Sequence, residues 1–484
     1  MKRRTFLSKL GMIALSGTTL RANGARPLGN FQFDVIPDVP VSADVPGDNE
    51  DALRPFHVTL PQRIEALPFG SERADSRPAF AIRGVKGWAW SPEQYLAEIP
   101  VLAKYRLNFL INCYTSLWEL GPHGALAADR SINFWYQPLS PEKKAGFEKV
   151  IRTCQEHGVT FCFSINPNLR SDRAFDYDHA DDMNALWQHY AWSQKLGVKW
   201  FNISLDDINT GINAGGQARA VNGLLQRLRV HDPEAQLTFC PTWYSGTGDS
   251  GIETNTTLGM KVGSLSGGVE TPGVQYTKAL AAELHPDVYL FWTGPDVCSL
   301  TIRAEQARRY KALCGHRILL FDNYPVNDQA PTLHLGPFSG RSADLCFAID
   351  GYFLNSMSYQ NEANRIPLLT LADYLWNPQQ YDPARSIGQA IAHLEDTSAR
   401  REVLCNLVEL YPGRLWDKSK RTEWNSLRAR FDQLLQHGEQ SEARRLFAKA
   451  NVTLQKMKAM FSDAWSSGEE VLEEDVAAMV RRFG

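Results

Sequence analysis

From about residue 78 onward, the chain alternates between short apolar runs and longer amphipathic segments. Each apolar run is too short for a helix and is rich in β-branched and aromatic side chains, which is typical of strands. Eight such runs follow one another: AIRGVKGWAW, LNFLINCY, VTFCFSIN, VKWFNISL, QLTFCPTWY, DVYLFWTG, RILLFDNY and GYFLNSM. The pattern therefore predicts eight strands.

Helical signatures separate these runs. The segments SPEQYLAEIPVLAKY and SPEKKAGFEKVIRTCQEHG each open with Ser-Pro-Glu, which combines an N-cap residue with proline at the first helical position. The second segment ends at Gly158, a residue type that is favoured just after a helix. Further helices are predicted in DDMNALWQHYAWSQKLG, GGQARAVNGLLQRLRVH, GVQYTKALAAELH, TIRAEQARRYKALCG, SADLCFAID and RIPLLTLADYLW.

Eight strand–helix units over about 300 residues predict an α/β fold, a (β/α)8 TIM barrel over residues 78–382. A doubly wound open sheet is the alternative. Beyond residue 382 the apolar spacing of three and four continues without strands, which predicts an all-α helical domain over residues 383–484. The segments that carry this spacing are ARREVLCNLVELYPGR, TEWNSLRARFDQLLQHG, SEARRLFAKANVTLQKMKAMFSDAW and EEVLEEDVAAMVRRF.

The N-terminal residues predict export. Lys2, Arg3 and Arg4 precede a modest apolar run and a group of small residues, and paired arginines before Thr-Phe-Leu are similar to a twin-arginine signal. We expect a signal peptide over residues 1–25 and a periplasmic or secreted protein; a disordered basic N-terminus is the alternative. Residues 26–77 are rich in Pro, Asp and Gly, which predicts an extended linker. We expect no membrane-spanning segment, since no other run approaches the roughly 20 apolar residues that one needs.

Composition limits the possible partners. The chain has 484 residues and a formal net charge of −3, and it carries no long basic run, which argues against nucleic acid and anionic membranes as partners. Its eight cysteines form no CxxC pattern and lie mostly in apolar runs, while its eleven histidines show no paired spacing. We therefore expect buried thiols instead of a disulfide framework, and neither a metal nor a cofactor.

Polar and aromatic residues cluster where the predicted strands end, which is where barrel enzymes hold their active sites. Aromatic faces can stack on the C–H faces of a sugar ring, while carboxylates and amides bind its hydroxyls, so a neutral carbohydrate is the first hypothesis. Taken one at a time, each tryptophan is more often a core residue. The clustered residues are Trp88, Trp90, Tyr114, Asn166, Asp206, Asp207, Trp243, Tyr244, Trp292, Asp322, Asn323 and Asn355.

Two adjacent aspartates, Asp206 and Asp207, end the run WFNISLDD. Retaining glycosidases usually place two carboxylates roughly 5–5.5 Å apart on opposite faces of the sugar, and inverting ones roughly 6.5–9.5 Å apart. Neighbouring residues cannot easily do this, so we expect both to act from one side while a 2-acetamido group of the substrate supplies the nucleophile. An ionised neighbour also raises the pKa of the second acid. The alternative is a helix N-cap or a solvated loop.

Several motifs together resemble glycoside hydrolase family 84, the β-N-acetylglucosaminidases that include bacterial relatives of O-GlcNAcase. The resemblance runs from about Arg83 into the helical tail. Its most specific block is DNYPVND followed by LGP, and the double aspartate precedes it. The motifs are GVKWFNISLDDIN, LTFCPTWYSG, LFWTGPDV, ILLFDNYPVNDQAPTLHLGPFSGRS and LNSMSYQNEANRIPLLTLADYLWNPQQYDPARS.

The resemblance implies a role for each matching residue. Asp206 would orient and polarise the acetamido group, and Asp207 would be the general acid that later deprotonates water. Tyr244 would hydrogen-bond the acetamido group as an oxazoline forms. The remaining matches would bind the sugar or shape its pocket: Asn323, Asp328 and Asn355 for binding, Trp292 for the pocket wall, and Gly87 at the first strand.

The chain departs from the family pattern at the wall of the sugar site. KGWAW stands where EGFYG is usual, and INCYTSLW offers no counterpart to the lysine that grips a sugar hydroxyl after the second strand. Phe321 replaces a usual tryptophan. A lost charged contact to a hydroxyl costs roughly 1.5–3 kcal/mol, so the departures bear on the choice of sugar more than on the chemical step.

The leading hypothesis is a retaining exo-β-N-acetylglucosaminidase that uses substrate-assisted catalysis through an oxazoline. The partner would be a carbohydrate with a 2-acetamido group. Two alternatives remain: a glycosidase for a different 2-acetamido sugar, and a carbohydrate-binding pseudoenzyme of the same fold. A further possibility is that the helical domain binds a partner and the barrel displays it.

Overall fold

The structure is a computed structural model, and it describes residues 57–69, 77–118, 133–208, 212–248, 252–253, 270–327, 332–413, 426–461 and 465–483. The predicted signal peptide and most of the predicted linker lie outside these residues. Within them, no helix is both long and apolar enough to span a bilayer.

Eight parallel strands close into a barrel, which confirms the predicted fold and excludes an open sheet. The strands are β1 (Ile82–Gly87), β2 (Phe109–Asn112), β3 (Thr160–Ile165), β4 (Trp200–Ser204), β5 (Gln236–Cys240), β8 (Tyr289–Trp292), β9 (Arg317–Asp322) and β10 (Gly351–Asn355). Closure occurs at β1, which pairs with both β2 and β10. A two-stranded hairpin, β6 (Ser245–Gly246) and β7 (Ile252–Glu253), follows β5.

Helices surround the barrel at the predicted places. They are α1 (Pro92–Lys104), α2 (Pro141–Glu156), α3 (Ala180–Lys195), α4 (Ala214–His231), α5 (Pro272–Glu283), α6 (Ala304–Cys314) and α7 (Asn361–Trp376). Ser91 and Ser140 cap the first two, since their hydroxyls accept hydrogen bonds from the backbone N–H groups of Gln94 and Lys143. The two Ser-Pro-Glu signals therefore mark true helix starts.

One predicted helix is instead a short 3-10 turn. The segment SADLCFAID forms a turn over Ala343–Phe347. Ser342 is tied to the preceding chain, because its backbone N–H donates to Ile302, and Asp350 is tied to β9 through Ile318. Only a few residues lie between Ser342 and Asp350. The chain therefore forms a short 3-10 turn, because a longer helix would not fit between these anchors and the start of β10.

The regular secondary structure described beyond residue 382 is all helical. It comprises α8 (Pro383–Leu394), which the sequence analysis did not single out, and the expected α9 (Ser398–Leu410), α10 (Leu427–Gln436), α11 (Gln440–Met460) and α12 (Ser466–Phe483). Apolar side chains such as Val403, Leu454 and Leu472 form a cluster separate from the barrel core. Helix α7 contacts both α8 and α12, so it joins the two parts.

Residues 57–69 run along the outside of α7, α8 and α9. The backbone N–H groups of Val58, Glu65 and Phe69 donate to the side chains of Glu409, Gln389 and Asp373. These contacts join positions more than 300 residues apart, so the segment before the barrel stabilises the junction between barrel and helical region. The proposed domain boundaries stay predictions.

Asp373 makes this junction sensitive to pH. Its side chain is buried, and burial raises its pKa to about 6. The folded state therefore keeps a proton that the unfolded chain releases near pH 4, and folding loses free energy as pH rises from about 4 to about 6. We expect Asp373→Asn, which is neutral at every pH, to raise the free energy of unfolding by on the order of 2–3 kcal/mol at pH 7.5.

Urea denaturation at pH 7.5 and pH 4 checks this prediction. The gain should fall to about 0.5 kcal/mol at pH 4, because the folded state is then protonated and the unfolded chain is about half protonated. Asp344→Asn is the control, since that carboxylate is exposed and pairs with Arg308 at the surface. An equal gain at both pH values would contradict the assigned cause.

Candidate active site

The two aspartates lie at the carboxyl end of β4, immediately beyond Ser204 and Leu205. Asp207 adopts a left-handed backbone conformation, with φ of 59°. A non-glycine residue in this region is uncommon and stores strain of order 1–3 kcal/mol, which is typical of functional turns. The turn breaks the strand alternation, so the two side chains have different neighbours although they are adjacent in sequence.

Asp206 is buried among hydrogen-bond donors. The Tyr114 hydroxyl donates to its Oδ2 at 3.1 Å, and Asn166 Nδ2 donates to its Oδ1 at 3.2 Å. Burial raises the pKa of Asp206 above its ordinary value, while the charge of Lys86 and the hydrogen bonds from Tyr114 and Asn166 oppose that rise. Both carboxylate oxygens are therefore oriented by donors from the segments that follow β2 and β3.

Asp207 has a different neighbour. Tyr244 lies in the segment after β5, and its hydroxyl donates a hydrogen bond to Asp207 Oδ1 at 2.9 Å. Burial and then the Asp207 carboxylate raise the pKa of Tyr244 well above its ordinary value, so this hydroxyl keeps its proton near neutral pH. Tyr244 therefore contacts Asp207 through its hydroxyl, which stays protonated beside the carboxylate.

Asn323 and Asn355 form a pair on the opposite side of the barrel mouth. Asn355 Nδ2 donates to Asn323 Oδ1 at 3.0 Å, and Asn323 Nδ2 donates to the carbonyl of Val297 at 2.8 Å. The two amides thereby fix each other's orientation. Asp328, the third residue expected here, lies outside the described residues.

A buried ion pair fixes the end of β9 just before Asn323. Arg341 donates to both carboxylate oxygens of Asp322, at 2.8 and 2.7 Å, and the Tyr352 hydroxyl also donates to Asp322. Arg341 reaches the carbonyls of Ser299 and Leu300 as well. Asp322 is thus saturated by structural contacts, so its part is to anchor the loops around the amide pair.

Most of the tryptophans at the strand ends point away from the site. Trp90 packs on Tyr95 of α1, Trp243 packs on Tyr276 of α5, and Trp292 stacks on Tyr310 of α6 with 5.5 Å between the ring centroids. Strand alternation turns Trp292 toward the helix layer, whereas Trp90 and Trp243 lie in the segments that follow β1 and β5. Trp88 differs, because its ring lies edge-on to Tyr114 at 6.4 Å.

Trp292 and Gly87 support the site from behind. The Trp292 indole N–H donates to the carbonyl of Gly246, so it holds the start of the hairpin that follows Tyr244. A Cβ on Gly87 would lie 2.4 Å from Tyr95 and 2.5 Å from Trp90. Close packing against α1 therefore requires glycine at this position.

Lys86 is the functional candidate that sequence reasoning missed. It precedes Gly87 on β1 and its side chain is only 2% exposed, with Nζ 4.6 Å from the ring centroid of Tyr114 and 4.4 Å from that of Phe321. The signal was available in the strand IRGVKG, because alternation places Gly84 and Lys86 on the face that meets the inward-facing Phe109 and Ile111 of β2.

The arrangement combines two differently bonded carboxylates, two tyrosine hydroxyls, a pair of amides and one ammonium. Among the described residues no group of three or more His, Cys, Asp and Glu side chains could hold a metal ion. Such a set can bind the hydroxyls and amide of a polar ring and can move a proton through a carboxyl group.

Comparisons with known proteins identify the family of this chain. A sequence model of the family described as beta-N-acetylglucosaminidase matches residues 82–409. Two curated proteins, both Protein O-GlcNAcase, from Rattus norvegicus and Mus musculus, are 26% and 25% identical over 270 residues. Each alignment covers 53% of this chain and 27% of the relative, so the chain matches about a quarter of the length of those proteins.

Two solved structures share the fold. A mutant O-GlcNAc hydrolase of Thermobaculum terrenum has a TM-score of 0.63 and 22% identity, with 83% of each chain covered. A protein named CpGH84B has a TM-score of 0.62 and 22% identity, with 84% of this chain and 67% of the other covered. The family match begins at β1, ends in α9 and so includes the whole barrel with Asp206 and Asp207. The chain therefore belongs to glycoside hydrolase family 84, the β-N-acetylglucosaminidases.

Proposed function

We propose that this protein is a retaining exo-β-N-acetylglucosaminidase that removes terminal 2-acetamido sugars through an oxazoline intermediate. Asp206 orients and polarises the acetamido group, Asp207 is the general acid and base, and Tyr244 hydrogen-bonds the acetamido oxygen. Asn323 and Asn355 bind the sugar, and so does Asp328 by its match to the family.

The observation that carries the proposal is the division of surroundings between the adjacent aspartates. Asp206 accepts from Tyr114 and Asn166 and lies near Lys86, so its orientation is fixed and these groups oppose the unfavourable effect of burial on its charge. Asp207 accepts a hydrogen bond from the Tyr244 hydroxyl, and its own backbone is in the left-handed conformation. One carboxylate is thus suited to hold a fixed dipole and the other to exchange a proton.

The first step forms an oxazoline. The acetamido carbonyl oxygen bonds to the anomeric carbon as the bond to the leaving oxygen breaks, and Asp207 gives its proton to that oxygen. Positive charge develops on the acetamido N–H, which the Asp206 carboxylate stabilises. Tyr244 positions the attacking oxygen.

The second step reverses these roles. Water bonds to the anomeric carbon while the bond to the oxazoline oxygen breaks, and Asp207 accepts the proton that water loses. The acetamido group is restored. Two successive inversions at the anomeric carbon retain its configuration, which defines a retaining enzyme.

A pair of aryl glycosides tests the proposal. Wild-type protein should cleave an aryl N-acetyl-β-glucosaminide, and it should cleave the matching aryl β-glucoside at least about 10³-fold more slowly, because only the first carries an internal nucleophile. Initial rates of aryl alcohol release provide kcat/KM, and NMR of the first-formed sugar reports its anomeric configuration.

The outcomes separate the alternatives. Comparable turnover of the plain glucoside would refute substrate assistance, and an inverted product would refute the retaining course. Binding of the N-acetyl sugar without any turnover would indicate the pseudoenzyme alternative. In that case a thiazoline mimic of the oxazoline should bind no tighter than the free sugar, whereas an enzyme binds it much more tightly.

A further inference from the structure

Lys86 places a cation inside the mouth of the barrel. Its Nζ lies 4.4 Å from the ring centroid of Phe321, 4.6 Å from that of Tyr114 and 5.6 Å from that of Trp88. Aromatic faces attract a cation, but they do not replace the hydrogen bonds that water gives to an ammonium. The three rings hold the side chain in position, and they leave its N–H groups available.

No acceptor for these N–H groups occurs in the described part of the chain. Lys86 Nζ forms no hydrogen bond and no ion pair there, although Asp206 is near enough for its pKa to be lowered by the lysine charge. Burying an ammonium without an acceptor is unfavourable, because its three donors lose their water. A ligand that enters the barrel mouth is the natural source of that acceptor.

The neighbouring strand provides the complementary group. Lys86 on β1 is in register with Asn355 on β10, so both side chains leave the same face of two neighbouring strands, whose backbones are about 5 Å apart. Asn355 Oδ1 is buried and accepts no hydrogen bond from any described residue. A donor and an acceptor, both without protein partners among these residues, are therefore carried by paired positions of adjacent strands at the barrel mouth.

A hydroxyl group matches this pair, because its oxygen accepts one hydrogen bond and its proton is donated in another. An anionic ligand group fits less well. The Lys86 charge is already partly balanced by Asp206, and the unpartnered Oδ1 of Asn355 requires a donor, which a carboxylate or phosphate lacks.

We propose that Lys86 and Asn355 together hold one hydroxyl of the terminal sugar. This inference rests on the proposed function and adds a specificity-determining residue to it. The ammonium donates to the hydroxyl oxygen, and the hydroxyl donates to Asn355 Oδ1.

Deoxygenated substrates combined with Lys86→Met test the pairing. Methionine keeps the length and apolar stem of lysine among the three rings and removes the donors. We expect Lys86→Met to lower kcat/KM for the aryl N-acetyl-β-glucosaminide about 10- to 100-fold. The wild type should lose a similar factor when one of the 3-, 4- and 6-deoxy analogues replaces the parent.

The decisive quantity is the coupling between the two changes. The analogue that lacks the hydroxyl held by Lys86 should be cleaved almost equally by the wild type and by Lys86→Met, because the contact is absent in both. For the other analogues, Lys86→Met should lower kcat/KM by the same factor as it does for the parent substrate. Lys86→Gln, which keeps a neutral donor, should recover part of the activity on the parent substrate.

Lys143→Met is the matched control. Its ammonium donates to the carbonyl of Ser116 at 2.7 Å, close to the site but bonded to the protein. This variant should show no coupling to any sugar hydroxyl. Circular dichroism and the melting temperature establish that each variant is folded.

Two results would overturn the inference. If Lys86→Met lowers activity by the same factor on the parent and on every deoxy analogue, Lys86 acts through Asp206 and not on a hydroxyl. If it leaves kcat/KM unchanged, Lys86 is structural. Should the wild type fail to cleave the parent, the proposed function fails separately, and calorimetric binding of N-acetylglucosamine and its deoxy analogues still measures the coupling.

Discussion

Alanine at position 207 is expected to lower kcat/KM by about 10²- to 10⁴-fold for glycosides with a poor leaving group. Such a group leaves as an alkoxide unless it receives a proton, and Asp207 is the proposed source. For an activated aryl leaving group, whose conjugate acid is already acidic, the loss in the first step should stay within about one decade. The effect of leaving-group pKa on the rate should therefore be much steeper in Asp207→Ala than in the wild type.

A series of aryl glycosides with graded leaving-group pKa measures this slope. Azide should restore part of the turnover of activated substrates by Asp207→Ala, because it attacks the oxazoline without losing a proton. Asp178→Ala is the control, since that carboxylate pairs with Arg219 at the surface. Equal losses along the whole series would remove the general-acid assignment from Asp207.

The second large effect concerns Asp206. We expect Asp206→Asn to lower kcat/KM by about 10²- to 10³-fold for good and poor leaving groups alike, because the variant loses a preorganised charge beside the acetamido group in both steps. Asparagine keeps an oxygen that can accept from Tyr114 or Asn166, so the loss measures charge more than shape.

Affinity for a thiazoline mimic should fall together with the rate in Asp206→Asn, since the mimic resembles the species that Asp206 stabilises. The leaving-group series would also show whether the roles of Asp206 and Asp207 are exchanged. If the loss in Asp206→Asn grows as the leaving group becomes poorer, Asp206 is the general acid and Asp207 holds the acetamido group.

The pH profile provides a separate check on Asp206. The proposed role requires the ionised carboxylate, and burial raises its pKa above the ordinary value of 3.8. Wild-type kcat/KM should therefore fall as pH decreases through this raised pKa, and the acidic limb should lie above the ordinary range of aspartate. Asp206→Asn should lack that limb, because asparagine does not titrate.

Local pattern was enough to predict the barrel. Runs such as VTFCFSIN and VKWFNISL alternate or stay apolar over strand lengths, and the Ser-Pro-Glu caps mark helix starts, so eight repeats of the unit were visible. The segment SADLCFAID shows the limit of such reasoning. Its spacing suits a helix, but anchors at Ser342 and Asp350 decide that it forms a short turn.

Residue type and position in the sequence did not show whether a side chain at a strand end points into the barrel or toward the surrounding helices. Trp243 and Trp292 were candidates for the sugar site, yet they pack on α5 and α6. Strand alternation determines which side chains face the interior, and the turn at Asp207 changes that alternation where it matters most. A residue list at strand ends therefore contains both the site and its supports.

The sequence by itself determined the strand–helix repeat, the adjacent aspartates at the end of β4 and the family to which their motifs point, because each of these is written in consecutive residues. Only the tertiary structure decided what surrounds those aspartates. Lys86 on β1, Tyr114 after β2 and Asn166 after β3 surround Asp206, and Lys86 pairs in register with Asn355 across about 270 positions of sequence because the barrel closes between β1 and β10. Closure of the barrel determines which side chains lie on the same face of neighbouring strands, and a local sequence pattern carries no information about that pairing.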